Sequence, residues 1–74
     1  MKILTKEQIV EKIKHYKKYY RNNTIVVNDF TYVPNENSGY CIYDVHYKVF
    51  YRSSDNSLKL SYETYNFPVK MGEL

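Results

Sequence analysis

Tryptophan and alanine are absent from this chain of 74 residues, and cysteine occurs once, at Cys41. One cysteine cannot form a disulfide within the chain, whereas secreted domains of this size usually need several. No apolar run approaches the roughly 20 residues that cross a bilayer, and the N-terminus lacks a signal-peptide core. We therefore expect a cytoplasmic protein without membrane contact, in the host cytoplasm if a phage encodes it.

Glycine and proline are also scarce, with two residues of each. Two glycines leave no phosphate-binding loop, and the sequence contains neither a Gly-x-Ser-x-Gly turn nor a Cys-x-x-Cys pair. A chain this short buries only roughly 60–65% of its unfolded surface, which leaves little room for a deep pocket. We therefore expect a non-enzyme with no catalytic residue, no bound metal and no cofactor.

Charge of one sign is weakly represented, because the net charge is only +3. Dedicated nucleic-acid-binding domains usually concentrate more positive charge than this. Lysine, asparagine, tyrosine and isoleucine are frequent, which is typical of translation from an AT-rich genome. The composition suggests a low-GC bacterium or one of its phages or mobile elements.

Residues 5–21 are predicted to form one amphipathic helix. Thr5 is the expected N-cap, and Gln8 three positions later completes a capping box. Apolar side chains then recur at helical spacing, at Ile9, Ile13, Tyr16 and Tyr20. Asn22 and Asn23 are expected to end the helix, because asparagine tolerates the left-handed conformation of a closing turn.

Three segments alternate with the period of a β-strand, at about residues 24–33, 40–52 and 57–67. Short polar turns separate them, which favours an antiparallel meander. Pro68 is expected to stop strand pairing and to begin a short tail, residues 68–74. We predict one domain over residues 1–74, an α+β fold with the helix packed on one face of the sheet (αβββ, two layers).

Matching the apolar faces of the strands predicts their register. Pairing Tyr51 with Leu58 would turn Leu58 and its alternate neighbours in the third strand towards the helix. Pairing Tyr32 with Cys41 would do the same for the first strand, but it would also turn Asn28 inward. A β-bulge near this asparagine is the alternative, because a bulge resets the phase of a strand.

A single helix can cover only one face of the sheet. In the predicted register the uncovered face carries a group of large side chains: Tyr40, Ile42, Phe50, Tyr65 and Phe67. Tyrosine and phenylalanine in a contiguous exposed group are typical of the core of a protein interface. We predict a protein-binding surface there, with ordinary exposed surface, or a covering tail, as the alternatives.

The helix also carries a basic ridge. Lys14, Lys18 and Arg21 follow one another at i, i+4 and i+7, and Lys17 lies beside them. Such a ridge can neutralise nucleic-acid phosphates. Cations near a helix C-terminus are also stabilised by the helix dipole without any ligand, so nucleic-acid binding is the alternative hypothesis.

Four side chains of metal-ligand type would share the uncovered face in this register: Asp29, Asp44, His46 and Glu63. Carboxylates and an imidazole at close range can bind a divalent cation. Lys48 and Lys59 lie close enough to form ordinary cross-strand ion pairs with them. We therefore expect neither metal binding nor catalysis from this group.

Taken together, these patterns predict a small, tyrosine-rich, non-enzymatic protein-binding module. The most specific hypothesis is a phage or mobile-element accessory protein that inhibits a larger host or defence enzyme by occlusion, in the manner of an anti-CRISPR protein. A nucleic-acid-binding protein that uses the basic ridge is one alternative, and a homodimeric regulator is another. The expected partner is a larger enzyme or complex.

Overall fold

The computed structural model describes residues 3–73. Its helix and strands are α1 (Lys6–Tyr16), β1 (Thr24–Asn35), β2 (Tyr40–Arg52) and β3 (Leu58–Lys70), with short 3₁₀ turns at Lys18–Tyr20 and Met71–Glu73. The strands form one antiparallel sheet in the order β1-β2-β3, and α1 packs on one face. The predicted αβββ fold of the α+β class is therefore confirmed.

The capping box at the start of α1 is present as predicted. The Gln8 amide donates to Thr5 Oγ1 at 3.1 Å, and the Thr5 amide donates to Gln8 Oε1 at 2.9 Å. The predicted end of the helix was wrong, because α1 ends at Tyr16 and not beside the asparagines. Lys17 caps the helix with φ −111° and ψ 77°, outside the helical region. The break allows the following turn to pack against β3, and such tertiary contacts outweigh local helix propensity.

A β-bulge interrupts β1 between Val27 and Asp29, and Asn28 is its unpaired residue. The side chain of Asn28 is exposed, so it does not enter the core. Apolar side chains on both sides of the bulge face α1: Ile25, Val27, Phe30 and Tyr32. The bulged alternative for the first strand is therefore confirmed. The unbulged pairing was wrong, because Tyr32 pairs with Tyr43 and not with Cys41.

The predicted register of β3 was wrong by one residue, because Tyr51 pairs with Lys59 and not with Leu58. Since successive strand residues point to opposite faces, this step exchanges the two faces of β3. Glu63, Tyr65, Phe67 and Val69 face α1, whereas Leu58, Leu60 and Tyr62 face away from it.

The turn between β2 and β3 fixes this register. The Ser53 amide donates to the Ser57 carbonyl at 3.0 Å, and the Asn56 amide donates to the Ser53 carbonyl at 2.9 Å. The Asp55 carboxylate accepts from the Ser53 and Ser57 hydroxyls, and these bonds lower its pKa to about 2. Asn56 adopts φ +65°, which asparagine tolerates better than most residues. The loop thus spans five residues between the paired Arg52 and Leu58.

Strand β3 continues through Pro68, which pairs with Ile42, and it ends at Lys70. The prediction that Pro68 stops the pairing was wrong because β3 is an edge strand, where a missing N–H group can face solvent. Val69 lies in this extension and is buried on the α1 side at 2% exposure. The tail therefore does not fold over the other face as far as residue 73, and Leu74 lies outside the described residues.

The core lies between α1 and the sheet. Alternate residues of β2 are at most 1% exposed: Cys41, Tyr43, Val45, Tyr47 and Val49. Ile9 and Ile13 of α1 are fully buried against them. The Tyr43 ring stacks on Phe67 with centroids 5.7 Å apart, and its hydroxyl accepts from the Leu4 amide at 3.1 Å. Tyr43 therefore buries its ring and still satisfies its polar end.

Deletion of Asn28 tests the bulge. Removing the unpaired residue leaves Val27 and Phe30 on the covered face, so the free energy of unfolding should change by less than about 1 kcal/mol. Deletion of Thr31, the control, sends either Phe30 or Tyr32 outward and should remove most of the few kcal/mol available to a core of this size. Urea unfolding followed by circular dichroism measures both, and equal losses would contradict the bulged register.

Candidate protein interface

The face of the sheet that points away from α1 is covered by no element between residues 3 and 73, and we call it the open face. Its side chains form cross-strand rows, each with one residue from β1, β2 and β3. In order along the sheet the rows are Thr24, Phe50 and Leu60; Val26, Lys48 and Tyr62; Asp29, His46 and Thr64; Thr31, Asp44 and Asn66; Val33, Ile42 and Pro68; and Asn35, Tyr40 and Lys70.

Apolar side chains occupy both ends of the open face, and polar side chains occupy its centre. At one end Leu60 is 41% exposed and Tyr62 is 71% exposed, beside the half-buried Phe50. At the other end Ile42 is 42% exposed and Val33 is 64% exposed. These side chains are neighbours across the strands, so they form contiguous patches and not scattered single residues.

Three of the five predicted interface residues lie on the open face, namely Tyr40, Ile42 and Phe50. The predicted positions of Tyr65 and Phe67 were wrong. Phe67 is 1% exposed, and Tyr65 is half-buried, with its ring centroid 6.2 Å from that of Tyr16 in α1. Both errors follow from the one-residue step in the register of β3.

The same step brings side chains to the open face that the sequence analysis assigned to the core: Leu58, Leu60 and Tyr62. Val26 and Val33 of β1 also lie there, because the bulge sets the phase of that strand. One feature of the sequence could have indicated this: apolar residues occupy both alternating phases of β3, so either phase could face the helix. A contiguous interface could therefore be inferred from the sequence, but the residues of β3 within it could not.

The group of four metal-ligand residues does not assemble. Glu63 faces α1, whereas Asp29, Asp44 and His46 remain on the open face. His46 Nε2 lies 3.9 Å from Asp44 Oδ2, and His46 Nδ1 lies 3.3 Å from Thr64 Oγ1. The hollow beside them measures about 280 Å³ and is open to solvent. No cluster of three or more metal-ligating side chains occurs among residues 3–73.

Glu63 instead centres a polar cluster on the covered face, which the sequence analysis did not predict. Tyr47 Oη donates to Glu63 Oε1 at 2.9 Å, and Tyr20 Oη donates to Glu63 Oε2. Lys17 Nζ donates to Tyr47 Oη at 3.2 Å and lies 3.5 Å from Glu63 Oε1. The same ammonium group lies 4.6 Å from the Tyr65 ring centroid, within cation–π range.

The electrostatics of this polar cluster suit a structural role. Burial acts to raise the pKa of Glu63, but the hydrogen bonds from Tyr20 and Tyr47 and the charge of Lys17 outweigh it and lower that pKa. Burial, and then the Glu63 carboxylate, raise the pKa of each tyrosine. Because each of these pKa shifts leads away from neutrality, none of the three groups is tuned for proton transfer near pH 7.

The predicted basic ridge does not form a continuous row on one helix. Lys18 and Arg21 lie beyond the end of α1, so the i, i+4, i+7 spacing no longer places them beside Lys14. Lys17 is engaged with Glu63 and is therefore not a free surface cation. Lys18 and Arg21 are exposed, and Lys14 is half-buried. Nucleic-acid binding through these residues stays a prediction.

Comparison with known protein families, curated proteins and solved structures finds no significant match to this chain. Across residues 3–73, no helix has both the length and the apolar character needed to cross a bilayer.

Replacing Glu63 by Gln tests the polar cluster. At pH 7 the change should lower the free energy of unfolding by about 1–3 kcal/mol, because hydrogen bonds to a charged acceptor are lost. The folded pKa of Glu63 is below its ordinary value of 4.5, so its stabilisation is present above that value and is lost as the pH falls through the folded pKa. The two proteins should therefore converge in acid, as urea unfolding at several pH values would show. A gap that stays constant would mean that the carboxylate charge contributes nothing.

Proposed function

We propose that this chain is a non-enzymatic protein-binding module and that the open face is its contact surface. One observation supports this proposal most strongly: β2 buries its inward side chains from Cys41 to Val49, while apolar rows on its other side stay exposed. In a folded protein that binds nothing, such side chains contribute only the small stabilisation of cross-strand pairs, about 0.2–1 kcal/mol each. Burial of a large apolar side chain in an interface contributes about 1.5–3 kcal/mol, so a partner could draw considerable binding energy from these rows.

The sheet edges are weaker candidates for the contact. Both outer strands contain a proline, at Pro34 in β1 and at Pro68 in β3, and each removes one backbone donor. Lys59 and Lys70 are exposed on β3 and add charge to that edge. Proline and lysine on edge strands are typical devices against pairing with another strand. A side-chain contact through the open face is therefore favoured over strand addition.

The more specific hypothesis is inhibition of a larger host or defence enzyme by occlusion, as a phage or mobile-element accessory protein would act. Occlusion needs only a contact surface and a stable fold, and it requires no chemistry of the inhibitor. The polar cluster around Glu63 supplies no group poised for proton transfer at neutral pH, which is consistent with such a role. The small size of the chain and an amino-acid composition typical of an AT-rich genome support this version of the proposal.

Two matched tyrosines test the proposed contact surface. Tyr62 on the open face is 71% exposed, and Tyr19 on the helix layer is 73% exposed. Replacing Tyr62 by Ala should weaken the capture of a protein partner at least about tenfold, as is common for an aromatic residue central to an interface. Replacing Tyr19 by Ala should have little effect. The measurement is capture from nuclease-treated lysate of a low-GC bacterium, followed by titration of the captured protein.

Equal loss of capture in the two variants, or loss only with Tyr19→Ala, would contradict the assignment to the open face. Capture that disappears when nucleic acid is digested would instead support the alternative hypothesis that involves Lys14, Lys18 and Arg21. Thermal unfolding of both variants is the control, since neither side chain lies in the core.

A further inference from the structure

We infer that the open face is self-complementary and binds a second copy of this chain around a two-fold axis that crosses the strands at His46. This inference rests on the proposed function, because it names the partner of the same face. Lys48 lies two residues to one side of His46 along β2, and Asp44 lies two residues to the other side. A two-fold axis through His46 therefore places Lys48 of each copy opposite Asp44 of the other.

The remaining rows match under the same rotation. The row of Thr24, Phe50 and Leu60 lies four residues from the axis along β2, and the row of Val33, Ile42 and Pro68 lies four residues away on the opposite side. Rotation places the first row of one copy over the second row of the other, so Phe50 meets Ile42 and Leu60 meets Pro68. Thr24 is the one polar side chain in these two rows, and it meets Val33. The central polar row meets itself, so Asp29 faces Asp29 of the other copy, which is one like-charge contact against the two opposite-charge pairs of Lys48 and Asp44.

The match pairs whole rows of the two copies, so it is kept when the strands of the two sheets cross at an angle. Two sheets that pack face to face keep their strands within about 30° of each other. Such an angle shifts the outer residues sideways towards a neighbouring strand, but each side chain still meets the same row. The outermost residues diverge further because sheets twist, so the central five rows carry the contact.

Two two-fold axes are possible in the plane of the interface, one across the strands and one along β2. The charges on the open face favour the axis across the strands. An axis along β2 would place Lys48 opposite Lys48 of the other copy, and Asp44 opposite Asp44 of the other copy. Both contacts are repulsive. Lys48 forms no ion pair within the described part of the chain. Asp44 Oδ1 is buried and accepts no hydrogen bond there, and Asp44 Oδ2 lies 3.9 Å from His46 Nε2. Of the two axes, only the strand-crossing one brings Lys48 an ion-pair partner, and it brings Asp44 Oδ2 an ammonium group in addition to its contact with His46.

The area of the open face fits a weak, reversible contact between two copies. Two strands of thirteen residues and one of twelve, about 4.8 Å apart and with a rise of about 3.3 Å, present a footprint of roughly 600 Å². The full faces of two copies would bury roughly 1,200 Å² in total, which is the lower limit for a standard-size interface, and the central five rows alone would bury less, in the range of transient contacts. The expected assembly is therefore a reversible dimer whose population rises with protein concentration, and not an obligate one.

Two charge reversals test the arrangement by sedimentation equilibrium over a wide concentration range. Lys48→Glu places a carboxylate opposite Asp44, and Asp44→Lys places an ammonium group opposite Lys48. Each variant alone should raise the dissociation constant of the dimer at least about tenfold, because like charges then face each other at both pairs. An equimolar mixture of the two variants restores both opposite-charge pairs and should form a mixed dimer about as tightly as the wild type.

A wild-type chain that sediments as a monomer at every concentration would overturn the inference, and so would variants that dimerise unchanged. A mixture that fails to associate while both variants keep wild-type thermal unfolding would overturn the proposed axis. These outcomes are separable from failure of the proposed function. Capture of a foreign protein that depends on Tyr62 by a monomeric chain would retain the protein-binding role and reject only the second copy as its occupant.

Discussion

The inward side chains of β2 are the constraint on which the other features depend. β2 pairs on both sides, and its alternate residues from Cys41 to Val49 must be shielded from water together. One helix of eleven residues is only about 16 Å long, whereas a strand of thirteen residues spans about 43 Å. The N-terminal segment and the 3₁₀ turn therefore extend the cover beyond the helix. Nothing among residues 3–73 remains to cover the opposite face.

The polar cluster around Glu63 attaches the segment that follows α1 to the sheet. After α1 ends, Lys17 and Tyr20 both reach the Glu63 carboxylate on β3, and Tyr47 of β2 completes the group. An isolated buried carboxylate would be costly, but here three donors surround it. The cluster thus anchors the turn that follows α1 and fixes which side of β3 faces inward. The extent of the open face and the end of the helix are therefore linked.

Local patterns predicted those parts of the fold that depend on short segments. The capping box at Thr5 and the alternation of β2 are each visible within a few residues of sequence, whereas the bulge at Asn28 was only the alternative to an unbulged pairing that was wrong. The face of β3 was not predictable in this way, because Leu58 and Leu60 support one phase, whereas Phe67 and Val69 support the other. The choice depends on where α1 crosses the sheet and on the five-residue turn before β3, and both are tertiary features. The Glu63 cluster was missed for the same reason.

A dimer and a complex with a larger enzyme would compete for the same open face. Both therefore require this face to be accessible to solvent in the monomer. The most direct measurement is the rate of thiol modification of an Ile42→Cys variant as a function of protein concentration, with the buried Cys41 as an internal reference. We expect rapid modification of the introduced thiol in dilute solution, slower modification as the concentration rises, and no modification of Cys41 in the folded protein. An introduced thiol that reacts slowly at every dilution would show that the chain covers this face itself, and would contradict the account.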